Sequence, residues 1–147
     1  MIAVVQKVKR AVLYSEGKKH SEIGAGSLVM LGVSVNDTLE KVKKLAEKIY
    51  KLRIFDDENG KTNKSVSEIG GRIMVVSNFT LYGDVYGSNR PSFINSARPE
   101  QAEEVYNKFV SHLKSLINTK TGVFRTHMDI EVELDGPGTY VVDSDKF

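Results

Sequence analysis

The chain of 147 residues contains no cysteine and no tryptophan, only three prolines and only three histidines. Without cysteine there are no disulfides and no thiolate metal sites, which fits a reducing compartment. No apolar run approaches the ~20 residues that span a bilayer. The opening Met1-Ile2-Ala3-Val4-Val5-Gln6-Lys7 turns apolar at once and basic afterwards. That is the wrong order for a signal peptide, so a cytoplasmic protein is expected, with no membrane partner. An excess of one charge is missing too: 21 basic against 19 acidic residues leave a formal +2. That balance does not announce a nucleic-acid binder by itself. HExxH, Walker and GxGxxG motifs are absent. His20, His112 and His127 fall in a hairpin, a helix and a strand region. They form neither a triad nor a ligand set by spacing, and no metal or cofactor is expected.

What is present is strong periodicity. Residues 2–14 set Val4, Val8 and Val12 against Lys7 and Lys9, the pattern of a long strand. Ser15-Glu16-Gly17-Lys18 signals a turn into a partner over 18–23. Leu28 to Val33 is a continuous apolar run, suited to a strand buried on both faces. Asp37-Thr38-Leu39-Glu40 has capping-box spacing, and Leu39, Val42, Leu45, Ala46, Ile49 and Leu52 follow at helical intervals. Arg53-Ile54-Phe55 predicts a short strand, and Arg72–Phe79 a buried one. After a polar loop over 83–98, Pro99 opens a second helix with a buried stripe from Ala102 to Ile117. Two strands, 123–134 and 139–143, close the chain around Asp135-Gly136-Pro137-Gly138-Thr139. One domain over 1–147 is expected, in the α/β class: a mixed, largely antiparallel sheet with two amphipathic helices packed on one side, a three-layer α/β/β arrangement. Lys41, Lys43, Lys44, Lys48 and Lys51 crowd the first helix. A solvated face is the plain reading of such a run, and a phosphate-facing surface is the other.

Two segments have chemical interest. Ser77-Asn78-Phe79-Thr80-Leu81 ends a buried strand. It reads as a strand terminus, or as a site where backbone N–H groups face a developing oxyanion beside Thr80. Gly136-Pro137 reads as a hairpin turn, or as a corner that presents main chain rather than side chain. X–Pro is the linkage where a cis peptide costs little, and the sequence leaves the isomer open.

Leu52-Arg53-Ile54-Phe55, Gly60-Lys61-Thr62-Asn63, Val75 to Leu81, Arg90-Pro91-Ser92-Phe93 and Asp135 to Thr139 occur together and in this order. In this the chain resembles the D-aminoacyl-tRNA deacylases, also called D-tyrosyl-tRNA deacylases, over essentially its whole length. The resemblance implies a metal-independent homodimeric hydrolase acting on the ester between a D-amino acid and the 3′-terminal adenosine of tRNA, and also on glycyl-tRNA. It implies catalytic roles for Ser77, Phe79 and Thr80 and substrate contacts from Asn78, Phe124, Met128 and Arg90. It further implies that Gly136-Pro137, as a Gly-cisPro motif, enters the partner's site and excludes L-amino acids, and that the ribose 2′-OH assists catalysis. Thr80 as a covalent nucleophile is the rival mechanism. Asn78 stands where the family usually has Gln, Lys7 where it has Arg, Leu134 where it has Asn, and Gly138 where it has a larger apolar residue. Arg125-Thr126-His127 stands where the family has mostly small residues. These departures leave room for a chirally relaxed editing enzyme, or for a catalytically weak module that binds tRNA or amino acids.

Overall fold

A computed structural model describes residues 1–147. Its spine is β1 (Ile2–Ser15), which pairs along both edges. On one edge its first half meets β3 (Gly26–Gly32) and its second half meets β2 (Lys18–Ile23), both antiparallel. On the other edge β8 (Met128–Asp143) runs antiparallel along the whole of β1, from Ser15↔Met128 to Ile2↔Asp143. β3 then pairs in parallel with β6 (Arg72–Ser77), and β6 in parallel with β7 (Thr119–Thr121). The parallel steps need crossovers, and α1 (Leu39–Tyr50) and α2 (Pro99–Leu116) supply them. β4 (Phe55–Asp56) and β5 (Thr62–Lys64) form a small separate ribbon.

The layers follow from the two faces of the parallel strands. Val29, Leu31, Ile73 and Val75 join the helix residues Leu45, Ile49, Phe109 and Leu113 in the larger core. Leu28, Met74 and Val76 point the other way, into a smaller core with Val8, Ala11, Leu13 and Ile23. β1 serves both cores: Ala3 and Val5 face the helices, and Ala11 and Leu13 face the second layer. The switch falls where its register against β8 slips on either side of Val8. A bulge there bends the strand so that the sheet folds over itself. The expected three-layer mixed α/β architecture is the one found.

Several local expectations change. The final strands are not a hairpin: β8 is one strand, and Asp135, Gly136 and Pro137 are extra residues between the pairs Val8↔Leu134 and Lys7↔Gly138. The corner is therefore a bulge in a continuous strand. Its Gly136–Pro137 peptide is cis, with Gly136 at φ +117. Residues 123–127, expected as strand, form a turn, while the polar Thr119–Thr121 forms β7. Lys7, placed on the polar face by alternation, is buried. The capping box is not made: Thr38 is the N-cap and makes no side-chain cap bond. The Asp37 carboxylate instead accepts from the Ser34 N–H at 2.7 Å and from the Met1 ammonium at 2.6 Å. The lysines of α1 lie on a solvated face, where Lys43 and Lys51 approach Glu47 and Lys41 binds Asp145. No helix is long and apolar enough to cross a membrane.

Candidate active site

β6 delivers the first part of the site. Its β-branched, doubly buried body ends at Ser77, and the chain then winds into a short 3-10 turn, Phe79–Tyr82. Asn78 sets that turn: its Oδ1 accepts from the Thr80 N–H at 3.2 Å and from the Thr80 hydroxyl at 2.5 Å. The Asn78 N–H is itself fixed to the Leu31 carbonyl at 2.8 Å. The turn packs on Gly32 of β3, where a Cβ would come within 2.9 Å of Leu81 Cβ. Only glycine permits that approach.

Against this turn lies a cleft of about 570 Å³. Ser77, Asn78 and Phe79 form one wall, and Phe124 and Met128 the opposite one. Five residues expected at a site from sequence are thereby brought together. The location, at the carboxyl end of a parallel strand, is where such sheets commonly bind ligands. Phe124 is held against the core by Tyr106, with ring centroids 5.9 Å apart. The Tyr106 hydroxyl in turn donates to the Val75 carbonyl at 2.9 Å, and burial pushes its pKa up, so it stays a neutral donor.

The remaining walls were not expected from sequence. Phe93 packs edge-on to Phe79 at 5.0 Å, Ser96 and Ala97 follow it, and Pro99 and Ala102 bring the first turn of α2 to the cleft. Arg125 and Thr126 come from the turn before β8. The Arg98-Pro99 helix start was a usable signal for α2, but nothing local said that its N-terminus faces Ser77. Among the lining residues Arg125 is the single charged one; no carboxylate and no histidine is present. No three His, Asp or Glu side chains gather at one point of the molecule.

Four sequence-selected positions do not line the cleft. Thr80 is exposed in the 3-10 turn, directly after the lining residue Phe79. Arg90 is exposed in the 83–98 loop, where its N–H donates to Ser88 Oγ at 3.1 Å. Gly136 and Pro137 are exposed and do not line the cleft. Eight residue steps separate Gly136 from Met128, about 26 Å along a strand at 3.3 Å per residue. The corner is therefore separated along the strand from the cleft residues of its own chain. The corner is braced instead at its base. Lys7 Nζ lies 3.2 Å from Asp56 Oδ2, 3.5 Å from Asp135 Oδ2 and 5.8 Å from the centre of the Phe55 ring. Burial pushes the Lys7 ammonium down, but the hydrogen bond to Asp56 and the charges of Asp135 and Asp56 outweigh it, leaving its pKa raised.

With this geometry in place, comparison with known proteins is decisive. A family model described as D-Tyr-tRNA(Tyr) deacylase matches residues 4–143. The chain belongs to this deacylase family. A D-aminoacyl-tRNA deacylase of Persephonella marina is 50% identical over 144 residues, covering 98% of each chain. The Clostridium acetobutylicum protein of the same name is 46% identical over 147 residues, covering 99% of each. Among solved structures, a c-Myc DNA unwinding element binding protein superposes with a TM-score of 0.92 at 39% identity, over 97% of this chain and 98% of that one. A probable eukaryotic D-amino acid tRNA deacylase superposes with a TM-score of 0.86 over 96% and 97%. At 15% identity that likeness concerns the fold alone. Ser77–Phe79, Phe124 and Met128, which line the cleft, fall within the matched residues.

Proposed function

We propose that this protein is a cytoplasmic aminoacyl-tRNA editing hydrolase that cleaves the ester of D-aminoacyl-tRNA, and of mischarged glycyl-tRNA, to free amino acid and tRNA. Family membership supports the reaction class. The observation that carries the mechanism is the partner of Thr80. Its hydroxyl donates to a neutral amide oxygen, Asn78 Oδ1, and the adjoining cleft, which Asn78 and Phe79 line, holds no histidine or carboxylate. An amide is no general base, so Thr80 has no activator of the kind a nucleophile needs. Water is left as the attacking group, and the substrate's own ribose 2′-OH is the group placed to assist it. Thr80 and Ser77 then orient the ester. The Thr80 N–H is spent on Asn78 Oδ1, whereas no side chain takes up the Phe79 N–H, which fits that group as the donor to the developing oxyanion.

The selectivity proposed is exclusion. In a homodimer the Gly136-Pro137 corner of one subunit enters the other's cleft and fills the space that an L side chain would need. A D side chain points away from it, and glycine has none to exclude. The position of the corner supports this reading, since it is exposed and lies about 26 Å along β8 from its own cleft. So do the apolar side chains on both sides of it, with Leu134 43%, Tyr140 37% and Val141 70% exposed. Partly uncovered apolar side chains along an unpaired strand edge suit a protein interface.

The deciding experiment mixes the purified protein with tRNA charged with D-Tyr, L-Tyr or Gly and follows ester loss. Rapid loss of the D-Tyr and Gly esters with the L-Tyr ester spared is expected. An intact D-Tyr ester would refute the reading. Equal loss of D- and L-Tyr would replace it with a chirally relaxed editing enzyme, and binding without turnover with a tRNA- or amino-acid-binding module.

A further inference from the structure

Two residues other than glycine have a positive φ, Glu16 and Arg125. Glu16 shares with Gly17 the two-residue turn between β1 and β2, where both central positions require that conformation. Arg125, at φ +61, has no hairpin to account for it. It sits instead in a turn fastened on both sides. The Thr126 hydroxyl donates to the Val123 carbonyl at 3.1 Å and lies 2.9 Å from Ser15 Oγ, at the end of β1. On the other side Phe124 packs against the larger core. Arg125 is thus held in a left-handed conformation, rare for a long side chain, at the mouth of the cleft.

Its charge is uncommitted. The acidic residue nearest in sequence, Asp129, is engaged by His127 at 3.2 Å, and no carboxylate pairs with Arg125. An exposed, unpaired guanidinium is the one charge on walls that are otherwise apolar or neutral. The end of an aminoacyl-tRNA offers it few partners. The α-ammonium of the amino acid is repelled, and the ester, ribose and base are neutral. The phosphodiesters are anionic, and the planar fork of an arginine matches their oxygens.

We propose that Arg125 is the phosphate anchor of this cleft: it binds the phosphodiester next to the 3′-terminal nucleotide and so fixes how deeply the ester enters. This rests on the deacylase reading above and makes Arg125 a binding and positioning residue of this particular chain. Its fastened turn means that the guanidinium is carried by a backbone already in place, which lowers the ordering cost of binding.

The test compares wild type, Arg125→Gly and Arg125→Lys on two substrates, D-Tyr-tRNA and the 3′-O-D-tyrosyl ester of adenosine, which has no phosphate. For Arg125→Gly, kcat/KM on the tRNA should fall about tenfold, mainly through KM, as expected for loss of a charge-assisted phosphate contact. The ratio of tRNA to adenosine-ester turnover should fall with it. The salt dependence of log kcat/KM should lose about one contact's worth of slope, and Arg125→Lys should recover part of the loss. Because glycine accepts φ +61 freely, the variant should fold with an unreduced melting temperature. An equal loss on both substrates would assign Arg125 to the shape of the cleft and overturn the proposal. So would undiminished turnover of the tRNA. Binding of an uncharged single-stranded RNA ending in the tRNA 3′ sequence reads the same contact without chemistry. If wild type binds it several-fold more tightly than Arg125→Gly yet hydrolyses no ester, the anchor stands and the deacylase reading falls. Equal binding by the two overturns the anchor alone.

Discussion

Thr80 follows the cleft residues Asn78 and Phe79 in the 3-10 turn, and its geometry suits alignment better than attack. Its proton is directed at Asn78 Oδ1, 2.5 Å away. Thr80→Ala should therefore keep kcat/KM within about a hundredfold of wild type, whereas removing a true nucleophile costs on the order of 10⁶-fold. Single-turnover assays on D-Tyr-tRNA measure this, and a trapped acyl–Thr80 adduct would contradict it. Asn78 matters for the same reason. Its side-chain oxygen accepts from the Thr80 N–H within its own turn and serves as the cap. Lys7 makes a different residue-level point. A lysine lacks the fork of an arginine, but here it lies between two carboxylates, donating to Asp56 at 3.2 Å and pairing with Asp135 at 3.5 Å. With its pKa raised above the ordinary 10.5, its stabilising contribution is complete at neutral pH and disappears as pH climbs past 10.5 through the folded-state value. Lys7→Met should lower stability at pH 7 by about 1–2 kcal/mol, between the values for exposed and buried pairs. Its deficit against wild type should shrink above pH 11. Thermal melts from pH 7 to 11.5 would test the sign; a deficit that grows with pH would refute it.

The elements differ in how openly the sequence declared them. α1 and α2 were legible because burial on one face leaves a period in the chain, as from Ala102 to Leu113; β1 was legible as a strand but not in its phase, since Ala3, Val5, Ala11 and Leu13 fill the cores while Val4 is half-buried. β7 was not, since Thr119-Lys120-Thr121 has no apolar run and is a strand only because β6 lies beside it. The corner misled for a related reason. Gly-Pro-Gly is good turn chemistry, but only the pairing of β8 with β1 on both sides makes it a bulge. Of the cleft, the Ser77–Phe79 wall and the Phe124 and Met128 wall came from motifs. Phe93, Ser96 and Arg125 arrive by tertiary placement, and no local pattern marks an arginine for a left-handed turn. Gly32 is an element-level case of this kind: unremarkable in β3, it lets the 3-10 turn Phe79–Tyr82 sit directly on the strand. Gly32→Ala should cost about 1–3 kcal/mol, as overpacking does. Because the clash falls on Leu81 Cβ at 2.9 Å and the Asn78 carbonyl at 3.2 Å, activity should fall further than stability explains. Melting temperature and kcat/KM measured together decide it, and a stable, fully active variant would show the contact to be slack.

The whole molecule has one open sheet edge of unusual length, the 16 residues of β8. If the corner completes a second subunit's cleft, this strand must lie at or beside the interface. Val141→Lys, which puts a charge on its most exposed apolar position, should shift the protein toward monomer in light scattering. The same change should reduce D-Tyr-tRNA hydrolysis or its preference over L-Tyr-tRNA. A monomer with full activity and full stereospecificity would refute the shared site.

The pairing of β1 with β8 also sets a timetable. Ile2 meets Asp143 and Ser15 meets Met128, so the earliest strand waits for the last to be made. Contacts this distant in sequence slow folding, because chain entropy is spent before they form. Until β8 arrives, β1 exposes an unpaired edge and the cleft lacks Met128. A growing chain thus carries an open strand edge and an unfinished cleft, and the docking of the final strand closes the one and completes the other.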